Sequence, residues 1–119
     1  MRGFTPWLLG MIIVFIGAVV FMSLALYGIM AKNAAPAAID SCRTLCKLAK
    51  SDGLNMANGP CLSDIYSNRW DVPDWVCDVA HVPRQPVDNL PENQCKAFRE
   101  GKAHHFVEVD ENCDVIHVV

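Results

Sequence analysis

The chain of 119 residues is 52% apolar and carries 10 basic and 13 acidic side chains, for a formal net charge of −3. Residues 1–32 hold 23 of its apolar side chains, two basic residues, and no Asp, Glu, His or Cys. That asymmetry excludes a uniform globular domain, a multidomain protein, and a disordered or collagen-like chain. The remaining 87 residues have eight basic and 13 acidic side chains, which excludes a nucleic-acid binder, because phosphate contacts require a basic footprint.

From Trp7 to Ala31 there is no charged residue. As a helix this run spans about 37 Å at ~1.5 Å per residue, enough to cross a hydrocarbon layer of about 30 Å with some tilt. An isolated segment in lipid satisfies its backbone only as a helix. Pro6 suits a first helical turn, and Trp7 and Tyr27 stand near the two ends, where interfacial aromatics concentrate. A cleaved secretory signal would have a shorter apolar core and a small-x-small site, and Pro36 spoils Ala35-Pro36-Ala37 for that role. The segment is therefore expected to be a retained anchor.

Arg2 and the amino terminus outweigh Lys32 slightly, favouring an inside amino terminus. The six cysteines argue more strongly, since all lie on the carboxyl-terminal side and an even set suits an oxidising compartment. The expected organisation is a cytoplasmic amino terminus (1–6), a transmembrane helix (7–31), a linker or frayed helix continuation (32–40) and an extracytoplasmic Cys-rich domain (41–119). The lipid bilayer is the first expected partner. Gly3, Gly10 and Gly17, with Ala18 and Ala25 beside them, form a line of small residues. Such a line lets helices approach closely in lipid, so self-association or another membrane or envelope protein is the second.

Arg2-Gly3-Phe4-Thr5 followed by a long apolar helix resembles the start of type IV pilin-like precursors, the class III signal. The resemblance implies cleavage after Gly3, with Phe4 as the new terminus and the helix retained to pack into a filament. The sequence departs from the bacterial pattern at Leu8, where a glutamate is typical, and at Pro6-Trp7.

In the outer domain a helix is expected from about Ser41 to Ser51, with Asp40 or Ser41 as cap and Gly53 as stop. Cys42 and Cys46 share one of its faces. Asn58-Gly59-Pro60 marks a turn, and Leu62 to Tyr66 a short helical piece. Trp75, Cys77 and Val79 alternate as the inward set of a strand. The prolines from Pro73 to Pro91 make His81 to Leu90 irregular; Pro91 then starts a helix that Gly101 stops, with Cys95 and Phe98 on one side. The tail reads as a hairpin, His104 to Val109 and Asp114 to Val119, turning at Asp110-Glu111-Asn112. Val107 and Val109 would face Val115 and Ile116 or Val118. Pro83 through Cys95, with Gly101 to Asp110, resembles small single-span surface proteins of archaea, which implies a location and no activity. The fold class is α+β: one transmembrane helix, then a small disulfide-stapled domain with two or three short helices and a carboxyl-terminal β-hairpin.

Cys42, Cys46, Cys61, Cys77, Cys95 and Cys113 allow 15 pairings. Two cysteines four apart on a helix splay too far for relaxed disulfide geometry, so Cys42 and Cys46 should take different partners. Cys77, His81, His105 and His117 are the least implausible metal ligands, but close C-x2-C pairs are absent and strand alternation sets His104 and His105 on opposite faces. No C-x-x-C redox motif, nucleophile elbow or glycine-rich phosphate loop is present, and no cofactor is expected. Asp71 with Asp74, and Glu108 with Asp110, read as solvated surface acids. Trp70, Trp75 and Phe98 read as core. The domain is thus expected to be a non-enzymatic interaction or structural module, with a pilin-like subunit and a Cys/His metal-binding domain as alternatives.

Overall fold

The computed structural model describes Gly3 and residues 5–119, with the backbone alone for 30–33. The expected Gly3/Phe4 processing point involves Phe4, which lies outside the described residues. Two compact units emerge, Met1–Asn33 and Ala34–Val119.

Helix α1 runs Pro6–Ser51 and contributes to both units. Its early part is apolar all round, with a mean hydropathy of 2.7 over an 18-residue window, none of it buried. Trp7, Phe15, Phe21 and Tyr27 are exposed. By length and composition it can cross a membrane. Residues 32–40 continue the helix, the second of the two forms expected for them, even though Pro36 lies inside α1 and removes one backbone hydrogen bond. From Ala38 onward the helix is amphipathic, burying Ala38, Cys42, Leu45, Cys46 and Ala49. It stops at Gly53 (φ 76°), whose left-handed turn lets the Leu54 amide donate to Ala49 O at 2.9 Å.

The second unit is built on a three-stranded sheet of order β1-β2-β3, with β1 (Trp75–Val79), β2 (His105–Val109) and β3 (Val115–Val118). The predicted hairpin is present: Val107 pairs with Val118 and Val109 with Val115, across an irregularity at Glu108/Val109 that steps over Ile116. Asp110 forms the turn, its Oδ1 accepting from the Asn112 and Asp114 amides at 2.8 and 3.0 Å. Strand β1 joins this hairpin in parallel, Cys77 opposite Val107. One sheet face packs Trp75, Cys77, Val79, Val107 and Val109 with the buried side of α1.

All six cysteines are paired, as Cys42–Cys77, Cys46–Cys113 and Cys61–Cys95. Cys42 and Cys46 do take different partners: one ties α1 to β1, the other ties it to the hairpin end. The third bridge lies over the opposite sheet face, in a small apolar cluster with Val76 and Ala103. Consequently every residue of β1 is buried, not only the alternate set expected.

Two further expectations are corrected. The segment after Pro91 is a 3₁₀ turn, Pro91–Asn93, and a separate short helix α3 (Lys96–Arg99). Gln94 and Cys95 between them are extended, and Asp64, within helix α2 (Leu62–Ile65), accepts the Lys96 amide at 2.9 Å and so caps α3 from outside. The stretch from His81 to Leu90 contains a 3₁₀ turn, Pro86–Asn89, organised by Asp88. The Asp88 carboxylate is buried and accepts the His81 and Gln85 amides at 3.1 and 2.8 Å.

Gly59 makes that anchor possible. Its φ is 62°, and a Cβ there would lie 2.5 Å from Asp88 Oδ1 and 3.0 Å from Val79 O. Gly59→Ala combines left-handed strain of about 1–2 kcal/mol with displacement of a buried hydrogen-bond acceptor, so a loss on the order of 3 kcal/mol is expected in urea unfolding. A loss below 1 kcal/mol would mean that Asp88 can move freely.

Candidate functional site

The sheet face away from α1 carries a polar row. Register pairing sets Asp78 on β1 beside Glu108 on β2, and Glu108 beside His117 on β3; Val76 and Phe106 pair one step along. Arg84, Gln94, Cys95 and Phe98 complete a cleft of ≈270 Å³ over this row. Proline-rich backbone brings Arg84 in. Its Nε donates to Asn89 Oδ1 and its Nη1 to Glu108 Oε2, both at 2.8 Å. His117 Nδ1 lies 3.3 Å from Glu108 Oε1. Phe98 and Phe106 cross edge to face with centroids 5.0 Å apart, forming the apolar wall.

Asp78 is the unusual member. It is only 9% exposed, and its Oδ1 accepts from the Val79 amide at 3.0 Å. Burial, aided by the neighbouring Glu108 charge, pushes its pKa up to about 8. The carboxyl therefore carries its proton at neutral pH. Since Oδ1 is the acceptor, the proton belongs on Oδ2. That oxygen has no hydrogen-bond partner among the described residues, and no fully buried side-chain oxygen or nitrogen lacks one, so Oδ2 opens to the cleft. The site thus offers a buried O–H donor beside a carboxylate held by a guanidinium.

The other histidines are anchors. His81 Nδ1 meets Asp88 Oδ1 at 2.8 Å and its Nε2 meets Glu111 Oε1 at 3.1 Å. The Asp88 hydrogen bond chiefly raises the His81 pKa. A raised histidine pKa adds stability that is fully present below about pH 6.5 and is lost as pH rises through the folded value. His81→Ala should therefore cost about 1–3 kcal/mol at pH 6 and clearly less at pH 9, measured by urea unfolding; an equal cost at both would exclude the charged clamp. His104 and His105 both turn to Asp74, at 2.6 and 3.7 Å, because β2 starts only at His105 and His104 escapes the strand alternation.

Cys77 is bound to Cys42, and His81, His105 and His117 each serve a different acid, so the sequence-derived metal candidates are not gathered into one site. Among the described residues, Cys61, Asp78 and Cys95 are close enough to hold an ion, but those two sulfurs share a disulfide and offer no thiolate. Trp75 is buried against His105, and Trp70 donates its indole hydrogen to Trp75 O at 2.8 Å, as core residues do. Phe98, expected in the core, instead lines the cleft and is 41% exposed.

No protein-family model, curated protein or solved structure matches the chain. The functional argument therefore rests on its own residues. Asp78, Arg84, Gln94 and Glu108 were not identified as site residues from the sequence, and Glu108, expected as a solvated surface acid, is buried. A charged residue between Cys77 and Val79 was the available signal for Asp78, but alternation alone assigns it to solvent. Nothing local links Arg84 to Glu108.

Proposed function

We propose that the chain is a single-pass, membrane-tethered module, amino terminus inside, whose disulfide-stapled outer domain binds another protein or an envelope component without transforming it. The observation that carries this is the pairing of all six cysteines on the carboxyl-terminal side of the apolar, unburied early part of α1. Soluble proteins rarely expose continuous apolar surface of that extent, and a reducing cytosol does not maintain such disulfides. Glu108 is already engaged by Arg84 and His117, which suits holding a ligand better than turnover.

Intact cells treated with a membrane-impermeant amine reagent test the topology. Lys47, Lys50, Lys96 and Lys102 are expected to label before lysis; labelling only after lysis would overturn the outward orientation.

A pilin-like subunit is the second proposal. What favours it is that the apolar run and the core-forming residues are consecutive in one helix, α1. Intact-mass measurement of membrane-derived protein decides it: cleavage after Gly3 supports it, and a retained Met1-Arg2-Gly3 removes it.

A further inference from the structure

The cleft over the outer sheet face is built for a ligand of narrow chemistry. At ≈270 Å³ it falls just short of the roughly 300–1,000 Å³ typical of pockets for drug-sized molecules, so one ring fills it. Its polar groups cluster on the sheet: Asp78 with its unpartnered Oδ2, the Glu108 carboxylate, and His117. Phe98 and Phe106 lie among its apolar lining, with Val76 and the half-cystine Cys95.

Charge decides the class. Arg84 neutralises Glu108 at 2.8 Å, and Asp78 is protonated at neutral pH. An anion would meet Glu108, and a cation would meet Arg84, with no free countercharge for either. An uncharged ligand meets neither penalty. It must accept from the Asp78 O–H, because a buried donor left without an acceptor is costly. It must also exchange hydrogen bonds with the Arg84, Gln94 and Glu108 groups while presenting an apolar side to the phenyl rings. Neighbouring hydroxyls on a ring whose faces are C–H meet all three demands, since each hydroxyl both donates and accepts. An extended peptide amide does not, because its donors and acceptors alternate to opposite sides.

We propose that this cleft binds one uncharged pyranose ring, with Asp78 and Arg84 as donors, Glu108 as acceptor and Phe98 as part of the apolar wall. The proposal supplies a ligand class for the outer domain but does not depend on the membrane topology above. Binding is read on purified protein and topology on intact cells, so either can fail alone.

The test uses saturation-transfer NMR on the full chain in lipid nanodiscs, with the uncharged methyl glycosides of glucose, galactose, mannose and N-acetylglucosamine as probes. Transfer to at least one is expected at pH 6. It should fall at least fivefold in Phe98→Ala, a partly exposed position that can be truncated without opening the core, and in Asp78→Leu. The conservative Asp78→Asn keeps a donor and should restore transfer. Intact mass showing three disulfides and an unchanged far-ultraviolet spectrum establish that each variant is folded. The charged groups acting on Asp78 are Glu108 from β2, Arg84 from the preceding loop and Asp88 from the 3₁₀ turn, with His117 from β3 lining the same cleft. Wild-type transfer should weaken between pH 6 and pH 9.5, and that of Asp78→Asn should weaken less. A tetrasaccharide of the preferred sugar distinguishes a free ring from a chain unit, and binding of either supports the proposal. Four outcomes overturn it: no transfer to any uncharged glycoside, transfer only to glucuronate or glucosamine, displacement by an uncharged peptide, or full transfer in folded Phe98→Ala.

Discussion

Replacing Cys46 and Cys113 together by serine is expected to destabilise the second unit by about 4 kcal/mol. The bridge closes a sequence separation of 67 residues, and cross-links of that span remove chain entropy from the unfolded state on this scale. A small domain has only about 5–15 kcal/mol in total, so the loss is a large fraction of it. The Cys42–Cys77 and Cys61–Cys95 bridges, with separations of 35 and 34, should each matter slightly less when removed alone. Their effects should not add, because the Cys42–Cys77 loop interleaves with both others and the Cys61–Cys95 loop lies inside that of Cys46–Cys113. Urea unfolding followed by tryptophan fluorescence reads this directly, since Trp70 and Trp75 lie in the second unit. A midpoint shift equivalent to less than 1 kcal/mol would mean that α1 is held by packing alone.

The second large effect is a pH dependence carried by Asp78. Its folded pKa of about 8 stands above the ordinary 3.8, so the folded protein binds a proton that the unfolded chain releases. The associated stability is complete below about pH 4 and is lost progressively as pH rises to about 8. At ~1.36 kcal/mol per unit the ceiling is about 6 kcal/mol, and water entering the cleft lowers it. Asp78→Asn keeps the size and the donor but cannot ionise. It is therefore expected to be more stable than wild type at pH 9 by about 2 kcal/mol, roughly 8 °C or more in Tm for a unit of this size, and to differ little at pH 4. Parallel stability curves for the two proteins across pH 4–9 would show that Asp78 ionises without cost, which would require an open and hydrated site. His81 loses stability in the same direction, but it is common to both proteins and cancels in the comparison.

Features that depend on local spacing were legible in the sequence. Cys42 and Cys46, four apart on a helix, foretold separate disulfide partners; Gly53 and Asp110 foretold the helix stop and the hairpin turn; and the Val107 and Val109 pairing followed from alternation. What depended on distant partners was not legible. Parallel addition of β1 to β2 joins segments some 30 residues apart with no turn to signal it. Alternation assigned Asp78 to solvent, but the Cys61–Cys95 bridge and α3 cover that face and bury it. Pro36 suggested a break, and the helix absorbs it, because one missing backbone hydrogen bond does not outweigh the flanking turns. The candidate site was the least legible feature, since its five polar residues come from two strands of one hairpin, a third strand, a proline-rich loop and the link between the second 3₁₀ turn and α3.

The disulfide connectivity also governs how the molecule would respond to a protease. Any single cut between residues 46 and 113 leaves both fragments covalently joined through Cys46–Cys113, and Cys46 is in the same helix as the apolar segment. A nick in the exposed loops around Asn58 or Arg84 would therefore shed nothing. The severed piece would stay attached to the segment that begins at Pro6 until a reductant arrived.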